Sequence, residues 1–149
     1  MVAALDIENR SASDYFDCIR GIAAQKRNAL RRLESIRARE SVRAQRYGEI
    51  YGKGGYGDPT AAVAGRMDAE TMTLKEIERM DAAISEAYDI LADVRAANKH
   101  HNWADVIELR YIEGLDWKSV ARVLDISASG AQHGKKIAFE WMDANGYIP

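Results

Sequence analysis

From Asp14 to about Arg46, apolar side chains return every three or four residues, at Tyr15, Ile19, Ile22, Leu30, Leu33 and Ile36, with alanines filling the gaps. That period lines them along one face of an α-helix of about 33 residues, near ~50 Å at ~1.5 Å per residue. From Ala61 to about Asn98 the pattern resumes with Val63, Met67, Leu74, Ile77, Ile84, Tyr88 and Leu91. The steps fit a heptad seam in which Glu70 and Asp81 hold the missing positions and Met80 covers for the second. Between them, Tyr47 to Thr60 carries Gly48, Gly52, Gly54, Gly55, Gly57 and Pro59, a composition that predicts a loop. Neither long helix is stable in water until its stripe is covered, so residues 14–99 predict an antiparallel hairpin of coiled-coil type around the Gly-rich loop 47–60. Residues 1–13 form a weakly ordered lead-in, with Ser11 or Ser13 as a helix cap.

Residues 100–149 follow a different plan. A tyrosine-ended helix reaches the Glu113-Gly114 corner, a short helix runs from Trp117 to Leu124, three residues turn the chain, and a longer helix extends to Met142. Val120, Ala121 and Leu124 share one helical face, and Ala121 is small where a second helix must cross closely. Asp125 stands where the chain leaves the short helix and tolerates a left-handed backbone better than most residues. Ser127 or Ser129 can then cap the next helix. Leu109, Leu115, Trp117, Ile126 and Phe139 are left to close a small three-helix core. Three packed helices with no ligand would need only the apolar residues. The small residue, turn and cap in this order predict a helix-turn-helix.

Composition leaves the class all-α. Two prolines among 149 residues, Pro59 and Pro149, leave long stretches free to be helical, and no convincing run alternates apolar with polar residues. The lone Cys18 has no internal disulfide partner, which fits a reducing cytoplasm, here that of a bacterial host. The N-terminus lacks the basic start and apolar core of a signal peptide, and no apolar run is long enough to span a membrane.

Charge is segregated along the chain. The first helix is strongly basic, whereas residues 61–99 hold five Lys/Arg against eight Asp/Glu and residues 100–149 five against seven. Either the two long helices attract one another across the hairpin, or Lys26, Arg27, Arg31, Arg32, Arg37, Arg39 and Arg43 line a secondary basic surface for phosphates or an acidic protein. The acidic C-terminal balance leaves only a local patch of Arg122, Lys135 and Lys136, with Gln132, His133 and Lys118 beside it. Weak, salt-sensitive DNA binding from one copy is the expectation. A homodimer through the hairpin, presenting two such helices about one DNA turn apart, or a partner such as RNA polymerase would supply the rest.

No catalytic set is found, so the chain is not expected to be an enzyme. His100 and His101 are adjacent and cannot both ligate from one helical face, His133 is expected to face DNA or solvent, and no Cys/His spacing suits zinc. Cys18 has no evident histidine partner. The glycines of residues 52–57 follow no strand and precede no Lys-Ser or Lys-Thr pair, so they make no phosphate loop. No metal or cofactor is implied.

Leu109-Arg110-Tyr111, Glu113-Gly114, Trp117, Val120-Ala121, Leu124, Ile126-Ser127 and Ala138 resemble the promoter-recognition region at the C-terminal end of bacterial sigma factors. They are more similar still to phage late-gene transcription regulators of the ArpU and RinA type, in which a tryptophan opens the short helix. The resemblance covers about 40 of the 149 residues. It departs after Ser127: Gly130 and Gly134 fall inside the recognition helix, and Ile137 stands where the family usually has a polar or basic residue. The resemblance implies a sequence-specific, double-stranded DNA-binding regulator in which Trp117 to Leu124 positions the module and Ser127 to Met142 enters the major groove. Ser127, Ser129, Gln132 and His133 then lie at the DNA, with Gln132 on a base edge and Arg122, Lys135 and Lys136 on phosphates. Two other expectations stand beside it. One is a phage assembly or DNA-packaging adaptor such as a terminase small subunit, which would form a ring; the other is a sigma-like or anti-sigma protein that touches polymerase alone.

Overall fold

A computed structural model describes the backbone of residues 10–51 and 59–149 and the side chains of 10–46 and 68–149. Among the described residues every element is helical. Helix α1 is Ala12–Tyr51, α2 is Pro59–Ala97, and α3 is Trp103–Ile107, which runs straight into a π-helical stretch, Glu108–Ile112. Helices α4, Trp117–Leu124, and α5, Ala128–Ala144, follow. The predicted loop 47–60 is corrected at its ends, where residues 47–51 and 59–60 are helical; 52–58 lie outside the described residues. Gly48 alone costs a helix only about 1 kcal/mol, and Pro59 at a first helical position gives up an N–H that would have no intrahelical partner.

The chain divides into two compact units, residues 1–24 with 82–149 and residues 25–81. The division falls inside α1 and α2, so the start of α1 and the last part of α2 belong with the C-terminal helices that the sequence pattern set apart at 100–149.

In the larger unit α1 starts where Ser11 Oγ accepts the Asp14 N–H at 3.1 Å. The Ala12 N–H donates to Asp143 Oδ1 at 2.7 Å, so a side chain of α5 also satisfies the start of α1. Phe16, absent from the predicted stripe, is fully buried. It stacks on Phe139 with centroids 5.7 Å apart and meets Tyr111 edge-on at 6.1 Å. Leu91, Val94, Ile107 and Met142 complete the centre of this core. Burying one such side chain stabilises by roughly 1.5–3 kcal/mol. A smaller cluster of Val106, Val120 and Ala131 is ringed by Leu109, Leu115, Trp117, Leu124 and Ile126. Phe139, expected in that small core, sits in the Phe16 core instead. It lies eight residues beyond Ala131, which turns it about 80° around α5.

In the unit of residues 25–81, Ala29 and Leu33 of α1 pack with Ile77 of α2, and Met80 adds to them. Ion pairs flank the cluster: Lys26–Asp81, Arg32–Glu76 at 3.5 Å and Arg37–Glu70 at 2.8 Å. Partners climb α1 as they descend α2, so these segments run in opposite directions. On α2 the buried or half-buried positions here are Glu70, Thr73, Ile77 and Met80, and in the other unit Ala83, Ile84, Ala87, Ile90, Leu91 and Val94. The predicted seam is right at Ile77, Ile84 and Leu91. It errs at Leu74 and Tyr88, which are 40% and 41% exposed, because the smaller Thr73 and Ala87 take those turns. On α1, likewise, Ala29 is buried and Leu30 is 42% exposed. The side chains of Val63 and Met67 lie outside the described residues.

Candidate nucleic-acid interface

The region begins at the π-helical stretch. The Glu113 N–H donates to the Glu108 carbonyl at 3.0 Å, one residue further back than in an α-helix, and Gly114 then takes φ +76°. The chain leaves in a conformation that glycine adopts without penalty. The Leu115 carbonyl accepts from the Arg110 guanidinium at 3.1 Å. Arg95, at 2.9 Å from Asp105 and 3.8 Å from Glu108, ties this segment to α2. Burial raises the Glu108 carboxyl above its ordinary value, opposed by Arg95.

Asp116 caps α4. Its carboxylate accepts the Ser119 N–H at 2.8 Å, and that hydrogen bond holds its pKa below the ordinary value. At the far end Asp125 has φ 54° and ψ 49°, the left-handed conformation expected there. The Ile126 N–H reaches the Ala121 carbonyl at 3.0 Å and the Asp125 N–H the Arg122 carbonyl at 3.4 Å, the paired bonds of a Schellman turn. Ser127 then caps α5 by accepting the Gly130 N–H at 2.9 Å. Val120 is fully buried and Ala121 nearly so, and Ala131 on α5 is fully buried, so small residues face the crossing from both helices.

Ser129, Gln132, His133 and Lys136 are all exposed on α5, at spacings of three, one and three that make a single stripe along its first half. Glu140 and Asp143 continue the stripe with negative charge. Arg122 is exposed on α4. Ser127 has its hydroxyl oxygen engaged as the cap. Lys135 is half-buried, with Nζ 5.5 Å from the centre of the Trp117 ring, and the Arg110 guanidinium lies 5.0 Å from the same ring. Cations over an aromatic face are attracted by its quadrupole. Trp117, expected to position the module, therefore gathers two basic groups. Arg110 was missed as a member of this basic set because only the fold brings it to Trp117.

The glycines within α5 differ. A methyl at Gly130 would stand 2.9 Å from Ser127 Oγ, so the cap explains this glycine. At Gly134 the nearest atom would be Trp103 Cδ1 at 3.8 Å, an ordinary contact.

The basic residues of α1 do not form one open surface. Lys26, Arg32 and Arg37 are paired with acids of α2, and Arg31 donates to Asn28 Oδ1. Arg27, Arg39 and Arg43 are exposed. His101 stacks on Trp103 at 4.2 Å, and Trp141 lies 6.3 Å from Trp103 and 4.8 Å from Tyr147. Among the described residues no group of His, Cys, Asp and Glu is arranged to hold a metal ion, and no helix is long and apolar enough to cross a membrane.

No protein-family model, curated protein or solved structure matches the chain.

Proposed function

We propose that the chain is a DNA-binding transcription regulator of phage or prophage type, working in a bacterial cytoplasm, whose C-terminal helices are a helix-turn-helix. The observation that carries this reading is the corner at Asp125, with the Ser127 cap beyond it and Ser129, Gln132, His133 and Lys136 exposed along the first half of α5. In this reading α5 enters the major groove by its N-terminal half, because Glu140 and Asp143 would repel phosphates if the second half were inserted. Gln132 meets a base edge through its amide, Lys136 and Arg122 meet phosphates, and Lys135 and Arg110 extend to the backbone from the Trp117 face.

Residues 100–149 carry more acids than bases, so a single copy supplies few phosphate contacts. The long helices, as a hairpin of coiled-coil type, provide a homodimer, and RNA polymerase is the natural further partner. Fluorescence anisotropy with a labelled duplex of about 30 base pairs at low salt tests the reading. Binding should weaken steeply with salt, and Lys135→Glu with Lys136→Glu should reduce affinity about tenfold or more. No binding at low salt, or binding untouched by the double substitution, would remove the assignment.

A further inference from the structure

Leu30 and Leu74 are large apolar side chains of residues 25–81 that remain about two-fifths exposed. Their neighbours place them on one flank. On α1, Leu30 follows Lys26 by four residues and precedes Arg37 by seven; on α2, Leu74 follows Glu70 by four and precedes Asp81 by seven. The pairs Lys26–Asp81 and Arg37–Glu70 join those two rows side by side. The flank therefore carries a row of Lys26, Leu30 and Arg37, with Glu34 between the last two, beside a row of Glu70, Leu74 and Asp81, with Glu78 between the last two. The opposite flank, with Gln25, Asn28, Ala29, Arg32, Glu76, Arg79 and Met80, has no such ordered rows, because Arg79 stands beside Glu76 on α2; the exposed Met72 lies four residues before Glu76 on that side.

We infer that this flank is the surface on which a second copy of the chain packs, making a four-helix bundle from two hairpins. The charge rows choose the arrangement. A copy turned about an axis parallel to the helices lays its basic row on the partner's acidic row at the same level. Lys26 then faces Asp81, Arg37 faces Glu70, and Leu30 meets Leu74 of the other copy. The reversed arrangement opposes base to base and acid to acid, which repel. A second copy would widen the narrow covered stripe of this unit, in which only Ala29, Leu33, Thr73 and Ile77 are buried among the described residues. Helices this long with so narrow a covered stripe gain from association. The inference rests on the self-association part of the function proposed above and names the face and direction of that contact.

The full chain should sediment as a dimer at tens of micromolar, and Leu30→Lys with Leu74→Lys should halve the mass while far-UV helicity stays, since neither leucine is in the core. A wild-type monomer overturns both this inference and the self-association reading; a variant that stays dimeric overturns this face alone. For direction, Cys18→Ser chains carrying either Leu30→Cys or Leu74→Cys are mixed and oxidised. Disulfides joining Leu30→Cys to Leu74→Cys chains support the arrangement, and predominant Leu30→Cys homodimers overturn it. Anisotropy on the same preparations reads DNA binding separately, so loss of one property is not mistaken for loss of the other.

Discussion

Phe16 near the start of α1 lies face to face with Phe139 of α5, their planes 14° from parallel and their sequence positions at nearly opposite ends of the chain. The aromatic pair makes the C-terminal helices dependent on the first helix. Phe16→Ala should destabilise the protein by about 3–5 kcal/mol, read by denaturant unfolding. Residues 100–149 expressed alone should lack cooperative unfolding, because Tyr111, Phe139 and Met142 would lose their cover. A sharp two-state transition in that fragment would contradict the shared core.

Two glycines are open to stabilising substitution. Gly21→Ala meets nothing within 4 Å and Gly134→Ala meets only Trp103 at a normal contact distance. Each should gain up to about 1 kcal/mol, or a few degrees in Tm. Gly130→Ala should give no gain, because its methyl displaces the Ser127 cap. Thermal melts followed by circular dichroism would distinguish the three.

The corner residue has its own signature. At φ 54° a β-carbon is strained, so Asp125→Gly should be neutral or stabilising and Asp125→Val should cost about 1–2 kcal/mol. Equal stability of the two variants in urea would mean that the left-handed turn is not formed.

Alkaline pH should expose a second dependence. Burial, followed by a 2.8 Å hydrogen bond donated to Glu86, pushes the Tyr15 phenol above its ordinary 10.0, and burial does the same for Tyr111. A folded-state pKa above the unfolded one means that stability is fully present below about pH 10 and is lost as pH rises towards the folded value. Absorbance at the phenolate band should show Tyr15→Phe removing a late-ionising tyrosine. Unchanged titration in that variant would count against the burial of this hydroxyl.

The sequence carried the helical class, the Asp125 turn and the Ser127 cap, because each depends on local chemistry: period, left-handed tolerance and a hydroxyl three residues before an amide. It misled where size was taken for burial. Leu30, Leu74 and Tyr88 are the bulky residues of their turns, yet Ala29, Thr73 and Ala87 face the neighbouring helix because small side chains let the backbones approach. Phe16 was invisible in the pattern because Tyr15 beside it already satisfied the period, and its partner lies more than a hundred residues away. The Arg110–Trp117–Lys135 grouping was hidden for the same reason, since no local spacing links a π-helical arginine to a lysine on α5.

The claim that the first half of α5 reads duplex DNA is tested most directly by amide chemical-shift mapping of the full chain titrated with duplex. The largest changes are expected at Ser129, Gln132, His133 and Lys136, with smaller ones at Arg122 and the Trp117 indole. No change in that stripe while the duplex is bound elsewhere, for instance along Arg27 to Arg43, would contradict it.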